Sequence, residues 1–495
     1  VTIPEALSYD DVLLLPGPSS VLPRDVAIRS RLHERVLLEL PVLSAAMDRV
    51  TEAEMAIALA RQGGLGVIHK NVPVEAQAAM VEAVKRSESG FITDPVTLRP
   101  DDTVGRAHEL MVRYRVSGFP VVDDAHRLVG IVTNRDLRLG APAESLVRDH
   151  MTGEGLVAGD PGMSLEDARD RMQVHRVEKL PIVAEDGRLV GMFTFKDVEK
   201  VRRYPRSAKD DRGRLLCAAA TGTGGDGEER AAALVGAGVD LLAIDSAHGH
   251  SAGVLEFAAK LRDRHPDVVL MVGNVATGDG VRACVDHGAD VVKVGVGPGS
   301  ICTTRVVTGV GVPQFTAVRE AAEVGRELGA AVIADGGLRS SGDIVKALAA
   351  GASAVMVGNL LAGTDESPGE LVLVGGRRYK EYRGMGSIDA MRAGSADRYF
   401  QGEGVRGADG ARPPVKLVPE GVSGLLPYRG AVSEVTEQLE GGLRSGMGYV
   451  GAPDLAALRE RARFVRQTAA GSRESHVHDL EVVHEAPNYQ VPGSA

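Results

Sequence analysis

The sequence predicts a (β/α)8 barrel interrupted by an inserted pair of repeated modules. Three observations lead there. Eight apolar runs alternate with helix-patterned stretches. Polar, glycine-rich clusters follow five of these runs. One stretch in the first half repeats at a fixed offset: Pro120 matches Pro181, 61 residues on, and its neighbours keep that spacing.

The runs are Leu40–Met47, Gly64–His69, Leu215–Thr221, Val239–Ser246, Val268–Val275, Asp290–Val296, Ala331–Asp335 and Ala354–Gly358. Continuous apolar runs suit parallel strands buried on both faces. Between them, Thr51–Arg61, Glu228–Val235, Val254–Arg264 and Ala317–Leu328 space their apolar residues as helices do. Eight such units, with a domain inserted after the second, make a TIM barrel. A doubly wound sheet is the alternative. It lacks support, because no Gly-x-Gly-x-x-Gly follows the first run with an acid about 20 residues later.

The insertion is the duplicated part. Val116-Ser-Gly-Phe-Pro-Val-Val pairs with Val177-Glu-Lys-Leu-Pro-Ile-Val, Arg127–Gly130 with Arg188–Gly191, and Thr133-x-x-Asp136 with Thr194-x-x-Asp197. Self-similarity at a fixed period marks duplicated modules. Each copy reads as a strand, an amphipathic helix (Thr103–Arg113, Ser164–Val174), two short strands and a second helix start. The expected boundaries are 1–90 and 205–495 for a discontinuous barrel, 93–145 for the first module and 150–203 for the second. At about 150 residues per domain, 495 residues leave room for about three domains.

Composition narrows the function. The 44% hydrophobic and 25% charged residues are those of an ordinary globular chain. Aromatics are 3%, with no Trp, too few for a stacking platform along single-stranded nucleic acid. A net charge of −10 argues against nonspecific nucleic-acid binding, which rests on clustered Lys and Arg. Three cysteines, widely spaced and without a Cys-x-x-Cys, suggest neither a disulfide framework nor a zinc ribbon. A cytoplasmic protein with no membrane partner is expected. His476-Val-His478 and His248-Gly-His250 lack further zinc ligands at suitable spacing.

Catalytic residues of such a barrel follow the C-terminal ends of its strands. The clusters there are Asp245-Ser246-Ala247-His248-Gly249, Gly273-Asn274, Gly295-Val-Gly-Pro-Gly-Ser300, Asp335-Gly336-Gly337 and Gly358-Asn359. Glycine lets the backbone approach a ligand closely. The last two clusters follow strands seven and eight, where these barrels often bind phosphate. A phosphorylated substrate is the inference; ordinary tight turns are the alternative. Cys302 lies in the glycine-rich loop beyond the sixth run, where a thiolate can attack an electrophilic carbon. Cys217, in a strand, and Cys284, in a helix, read as small buried hydrophobes. The polar stretch Arg377–Tyr428, without clear periodicity, reads as a lid.

These segments resemble known families. The duplicated unit is similar to a tandem of CBS modules. In that family Thr133 and Asp136, with Thr194 and Asp197, would grip nucleotide riboses; the plain alternative is that the two aspartates cap helices. The whole chain resembles the inosine monophosphate dehydrogenases, through Ser8-Tyr-Asp-Asp-Val-Leu-Leu-Leu-Pro16, Ser44-Ala-Ala-Met-Asp48, Gly64-Leu-Gly-Val-Ile-His-Lys-Asn71, the Cys302 loop, Tyr382-Arg-Gly-Met-Gly-Ser387, Asp397-Arg-Tyr-Phe400 and Glu474-Ser-His-Val-His-Asp.

That resemblance implies oxidation of IMP to XMP with NAD, on the route to guanine nucleotides. It implies that Cys302 adds to C2 of the base and Thr304 helps place water. Arg398-Tyr399, carried on a mobile flap, would supply the base, with Thr304 and Glu420 as a second proton route. Ser300, Gly337, Gly358, Asn359 and Tyr382 would hold phosphate, and Asp335 the ribose. Met385, Gly386 and Glu420 would contact the base. Asp245, Ser246, Asn274, Gly295 and Gly297 would line the NAD side. Potassium would sit on the carbonyls of Gly297, Gly299 and Cys302, with Glu474, Ser475 and His476 from a neighbouring subunit. Homotetramers that can pair into octamers are implied, as are purine nucleotides at the CBS pair. Asn359 and Arg49 depart from the family's usual residues. Two competing readings remain: a GMP reductase, which Arg398-Tyr399 argues against, and a nucleotide sensor with an inactive barrel, which the intact Gly295–Arg305 loop argues against.

Overall fold

The computed structural model describes residues 3–87, 91–92, 95–114, 116–137, 140–401, 417–478 and 488, apart from the side chains of residues 196, 197, 200 and 201. Eight parallel strands close into a barrel: β1 (Val42–Ser44), β2 (Leu65–Ile68), β3 (Ala218–Thr221), β4 (Leu241–Asp245), β5 (Val269–Val275), β6 (Val291–Val294), β7 (Ala331–Asp335) and β8 (Ala354–Val357). They neighbour one another in sequence order, and β8 pairs with β1. Each predicted run contains its strand; the seventh matches it in full, and the others are shortened at one end or both.

Helices cover the outside: α1 (Ala53–Arg61), α2 (Val74–Ser87), α3 (Gly227–Gly236), α4 (Ala252–Arg264), α5 (Gly278–Asp286), α6 (Gln314–Leu328), α7 (Ser341–Ala349) and α8 (Val432–Val450). The last packs against both α7 and α1, closing the ring. Side-chain caps start several of them: Thr277 Oγ1 accepts from Gly280 N on α5, and Ser340 forms a capping box with Asp343 on α7. Such caps contribute about 1 kcal/mol each.

The core has two shells. Successive strand residues point to opposite faces. Leu43, Val67, Ala243, Met271, Val291, Ile333 and Met356 fill the barrel interior. Their neighbours Val42, Ile68, Ile244, Val272, Val292, Val332 and Val355 pack outward against the helices. Full burial of each large apolar side chain contributes about 1.5–3 kcal/mol.

The chain divides into two compact units: Val1–Ser87 with Arg206–Asp211 and Leu215–Ala495, and Glu88–Pro205 with Arg212–Arg214. The second contains two antiparallel hairpins, Gly118–Val122 with Leu128–Thr133 and Lys179–Val183 with Leu189–Thr194. Their registers coincide under the 61-residue offset, down to the irregularity after Val121 in one and after Ile182 in the other. Each hairpin packs on its own helix, Val104–Tyr114 or Leu165–His175.

Two expectations need correction. Cys217 lies one residue before β3 rather than in it, although it is fully buried. The stretch expected to be irregular begins and ends in strands. β9 (Leu371–Val374), β10 (Arg377–Arg383) and β11 (Ser423–Pro427) form an antiparallel sheet. Arg377-Arg-Tyr-Lys-Glu-Tyr-Arg carries a period of two, with Lys380 and Tyr382 buried on one face. Its many charges hid that pattern. The centre of the expected flap, 402–416, lies outside the described residues. No helix among the described residues is long and apolar enough to cross a membrane.

Candidate active site

The inward alternation of the barrel strands builds the floor of a cleft at their C-terminal ends. On β4 the inward residues run Leu241, Ala243, Asp245; on β6, Val291 then Lys293; on β7, Ala331, Ile333, Asp335. The last inward position on each strand is charged. Lys293 Nζ stands 3.1 Å from Asp245 Oδ1 and 2.9 Å from Asp335 Oδ2, and it also meets Asn274 Oδ1. Asn274 Nδ2 donates to Asp335 Oδ2 at 2.8 Å and to Gly295 O at 2.7 Å. Lys293 is 2% exposed. Its ammonium offsets two carboxylates that would otherwise repel each other in a poorly solvated place.

Cys302 lines this cleft. Its Sγ lies 3.2 Å from Thr304 Oγ1, and Thr304 opens a short helix, Thr304–Thr308. The glycine-rich loop is pinned on both sides. Arg305 donates to Val296 O at 3.0 Å and to Val312 O at 2.5 Å. Thr303 N donates to Glu420 O at 2.9 Å, and Val422 N to Ile301 O at 3.0 Å. Gln314 at the start of α6 bonds the carbonyls of Val294 and Asp335.

Ser300, Gly358, Asn359 and Tyr382 come together beside it. Asn359 Nδ2 is 3.3 Å from Ser300 Oγ, and the Tyr382 hydroxyl lies 3.9 Å from Met47 Sδ. A Cβ at Gly358 would come within 2.9 Å of that hydroxyl, so the close approach needs glycine. Burial pushes the Tyr382 hydroxyl's pKa up, so it stays a neutral donor. Hydroxyls, an amide and a glycine backbone suit a phosphate.

On the opposite wall stands the segment that follows β10. Arg398 forms an ion pair with Asp245, and its carbonyl accepts Ala247 N at 3.0 Å. The Arg398 Nε is buried with no hydrogen-bond partner among the described residues. The Arg398 guanidinium lies 6.0 Å from the centre of the Tyr399 ring, and burial raises the Tyr399 pKa despite that cation. Met385, Gly386, Glu420, Gly295, Gly297 and Gly299 complete the lining.

A family model described as "IMP dehydrogenase / GMP reductase domain" matches residues 6–478. The chain belongs to this family. Two curated relatives carry the description inosine-5'-monophosphate dehydrogenase. The one from Halalkalibacterium halodurans is 54% identical over 485 residues, covering 98% of each chain. The one from Aquifex aeolicus is 54% identical over 492 residues, covering 99% of this chain and 98% of that one. A crystal structure of a cysteine-to-alanine variant of GMP reductase from Trypanosoma brucei, in complex with guanosine 5'-monophosphate, superposes with a TM-score of 0.85 at 40% identity. The match covers 97% of this chain and 99% of that one.

Within this IMP dehydrogenase / GMP reductase fold the remaining residues fall as follows. Gly337 follows Asp335-Gly336 on the β7 loop, with its φ at 76°. Ser246 is buried in backbone bonds with β5, its Oγ accepting His248 N, and it does not line the cleft. Glu474 ends the helix Ala469–Glu474, and Ser475 bonds Gly471 O and Gln467. No group of three or more His, Cys, Asp or Glu among the described residues is arranged to hold a metal. In the second unit Asp136 Oδ2 accepts both Thr133 N and Thr133 Oγ1 at 2.7 Å, a capping arrangement. The Asp197 side chain lies outside those described. Lys293 and Gln314 escaped the sequence reading. The signal for Lys293 was present: one charge inside the run Asp290–Val296, in register with the inward residue Val291.

Proposed function

We propose that this chain oxidises IMP to XMP with NAD, in purine nucleotide synthesis. The observation that carries this is Cys302, paired with Thr304, in one cleft with Asp335, Tyr382 and Arg398, with Ser300 and Asn359 in contact with each other on the adjoining loops. Cys302 Sγ adds to C2 of the hypoxanthine. Asp335, held by Lys293 and Asn274, accepts from the ribose hydroxyls. Ser300, Gly337, Gly358, Asn359 and Tyr382 donate to the phosphate, and Met385, Gly386 and Glu420 flank the base.

The residues present fit a dinucleotide. Asp245 offers a carboxylate on the cleft floor beside Asn274, Gly295 and Gly297, a donor and acceptor set suited to ribose. Held beside Asp245, Asn274, Gly295 and Gly297, NAD would supply the acceptor for the hydride that leaves C2. What remains is a thioimidate on Cys302, which water must hydrolyse. Thr304 positions that water beside the sulfur. Arg398 and Tyr399 stand over the same cleft to take its proton, with Thr304 and Glu420 as a second route. Arginine is an unusual base, because its intrinsic pKa exceeds about 12. Loop carbonyls of Gly297, Gly299 and Cys302 suit a potassium ion, with Glu474, Ser475 and His476 of a neighbouring subunit. That sharing calls for an oligomer, and the family resemblance implies a homotetramer able to pair into octamers. The second unit reads as a CBS pair that binds purine nucleotides through Thr133, Asp136, Thr194 and Asp197.

The test is growth of NADH absorbance with IMP, NAD and potassium, with Cys302→Ala as control. NADPH oxidation with GMP, and no NADH from IMP, would instead make the chain a reductase like the Trypanosoma brucei protein.

A further inference from the structure

The segment Lys70-Asn71, just after β2, has no part in the chemistry above. Both residues nevertheless reach the stretch that carries Arg398 and Tyr399. Lys70 Nζ lies 2.5 Å from Asp397 Oδ1, with the two side chains only 8% and 20% exposed. The same carboxylate oxygen accepts Arg398 N at 2.9 Å. Asn71 Nδ2 donates to Ala390 O at 3.3 Å and to Asp48 Oδ2 at 3.0 Å. A third loop closes the arrangement. A Cβ at Gly222, after β3, would overlap Asp397 Oδ2 and come within 3.0 Å of Lys70 Nζ. An enclosed ion pair is screened far less than a surface one, and losing one partner strands the other charge.

We propose that Lys70 is a positioning residue for the hydrolytic half of the reaction. Its ion pair with Asp397 latches the Arg398–Tyr399 segment over the cleft. The proposal rests on the assignment of Arg398 to hydrolysis. Neither Lys70 nor Asp397 lines the cleft around Cys302, so addition and hydride loss do not need them. A misplacement of ~1 Å at a reacting group can cost about a hundredfold in rate. The latch therefore acts on one half-reaction alone.

Rapid mixing with IMP and NAD, followed by mass spectrometry of Cys302, separates the two halves. Lys70→Met should keep a stoichiometric burst of NADH while its steady-state rate falls about 10- to 100-fold. The purine adduct on Cys302 should accumulate. Lys70→Arg, which keeps the cation, should recover most of the rate. Asp397→Asn repeats the test from the other side should Lys70→Met fail to fold. Equal loss of burst and steady rate, or no loss of either, while Arg398→Ala shows the split, overturns the latch alone. If Arg398→Ala shows no split, its hydrolytic role falls and the latch falls with it.

Discussion

Arg398 is ion-paired with Asp245, so one carboxylate faces both the lid segment and, through its other oxygen, Lys293 on the barrel floor. Asp245 is 4% exposed. The side chain assigned to the cofactor is thus already occupied by the side chain assigned to hydrolysis. The two uses exclude each other on one carboxylate, which orders them in time. Asp245→Asn should therefore damage both. Its kcat/KM for NAD should fall about tenfold or more. The KM for IMP should change little, because Asp335 keeps Lys293 and Asn274. Steady-state kinetics with each substrate varied checks this; an equal rise in both KM values refutes it.

Thiol chemistry should be selective. Cys302 is partly exposed, whereas Cys217 and Cys284 are buried. Burial pushes the Cys217 thiol up and the Cys284 thiol up to about 12. The thiolate is the reactive form. Iodoacetamide on the folded protein should label Cys302 alone, and IMP should protect it. Peptide mapping reads the outcome; labelling of Cys217 or Cys284 at the same rate would contradict it.

Acid should weaken the contact between Asp48, just beyond the C-terminal end of β1, and Arg383. Burial by itself would raise the Asp48 pKa, but hydrogen bonds from Arg383 and Asn71 outweigh it and hold it below 3.8. A carboxyl with a lowered folded pKa stabilises the fold above its unfolded value. That contribution is lost as pH falls through the lowered pKa. Asp48→Asn should thus melt well below wild type at pH ~7, and the gap should narrow at pH ~3. Parallel melting curves at both pH values would show that the pair carries no such linkage.

The opposite sign holds at the other end of the barrel. Lys85 Nζ meets Asp240 Oδ2 at 2.7 Å, Asp210 Oδ2 at 2.9 Å and Leu215 O at 2.9 Å. Burial raises the Asp240 pKa even against this cation. The folded chain keeps a proton that the unfolded chain has lost, so stability falls as pH rises from the ordinary carboxylate range through the raised pKa. Lys85→Met removes the opposing charge and should destabilise the fold by about 3–5 kcal/mol at neutral pH. The deficit should shrink at pH ~4, where the carboxylates protonate. Denaturant melts at the two pH values test this.

The duplicated unit should bind purine nucleotides through the turn where Asp136 holds Thr133. Calorimetry with ATP or GTP should show heat that Asp136→Ala reduces. No heat with the intact protein would leave those aspartates as helix caps only.

Much of the fold was legible in the chain. Parallel barrel strands are buried on both faces, so all eight announced themselves as apolar runs. The hairpins of the insert were legible as a repeat, because duplication preserves register. β10 was not, since its buried Lys380 and Tyr382 alternate with charges that a hydropathy reading scores as loop. The site divided in the same way. Asp245, Asp335 and Cys302 lie where strand ends must lie. Lys293 was visible only as one charge in an apolar run.

The linear order alone determined which residues could reach the C-terminal rim, because strand direction and the two-residue alternation are local properties. It also carried the family, through motifs spread along nearly the whole chain. Only the tertiary structure decided which groups share a proton or a charge. Lys70 and Asp397 are 327 positions apart in the chain. Asp245 meets Lys293 from one strand and Arg398 from a distant segment. Such pairs form when barrel closure brings separate loops within a few ångströms, and no local pattern encodes that distance.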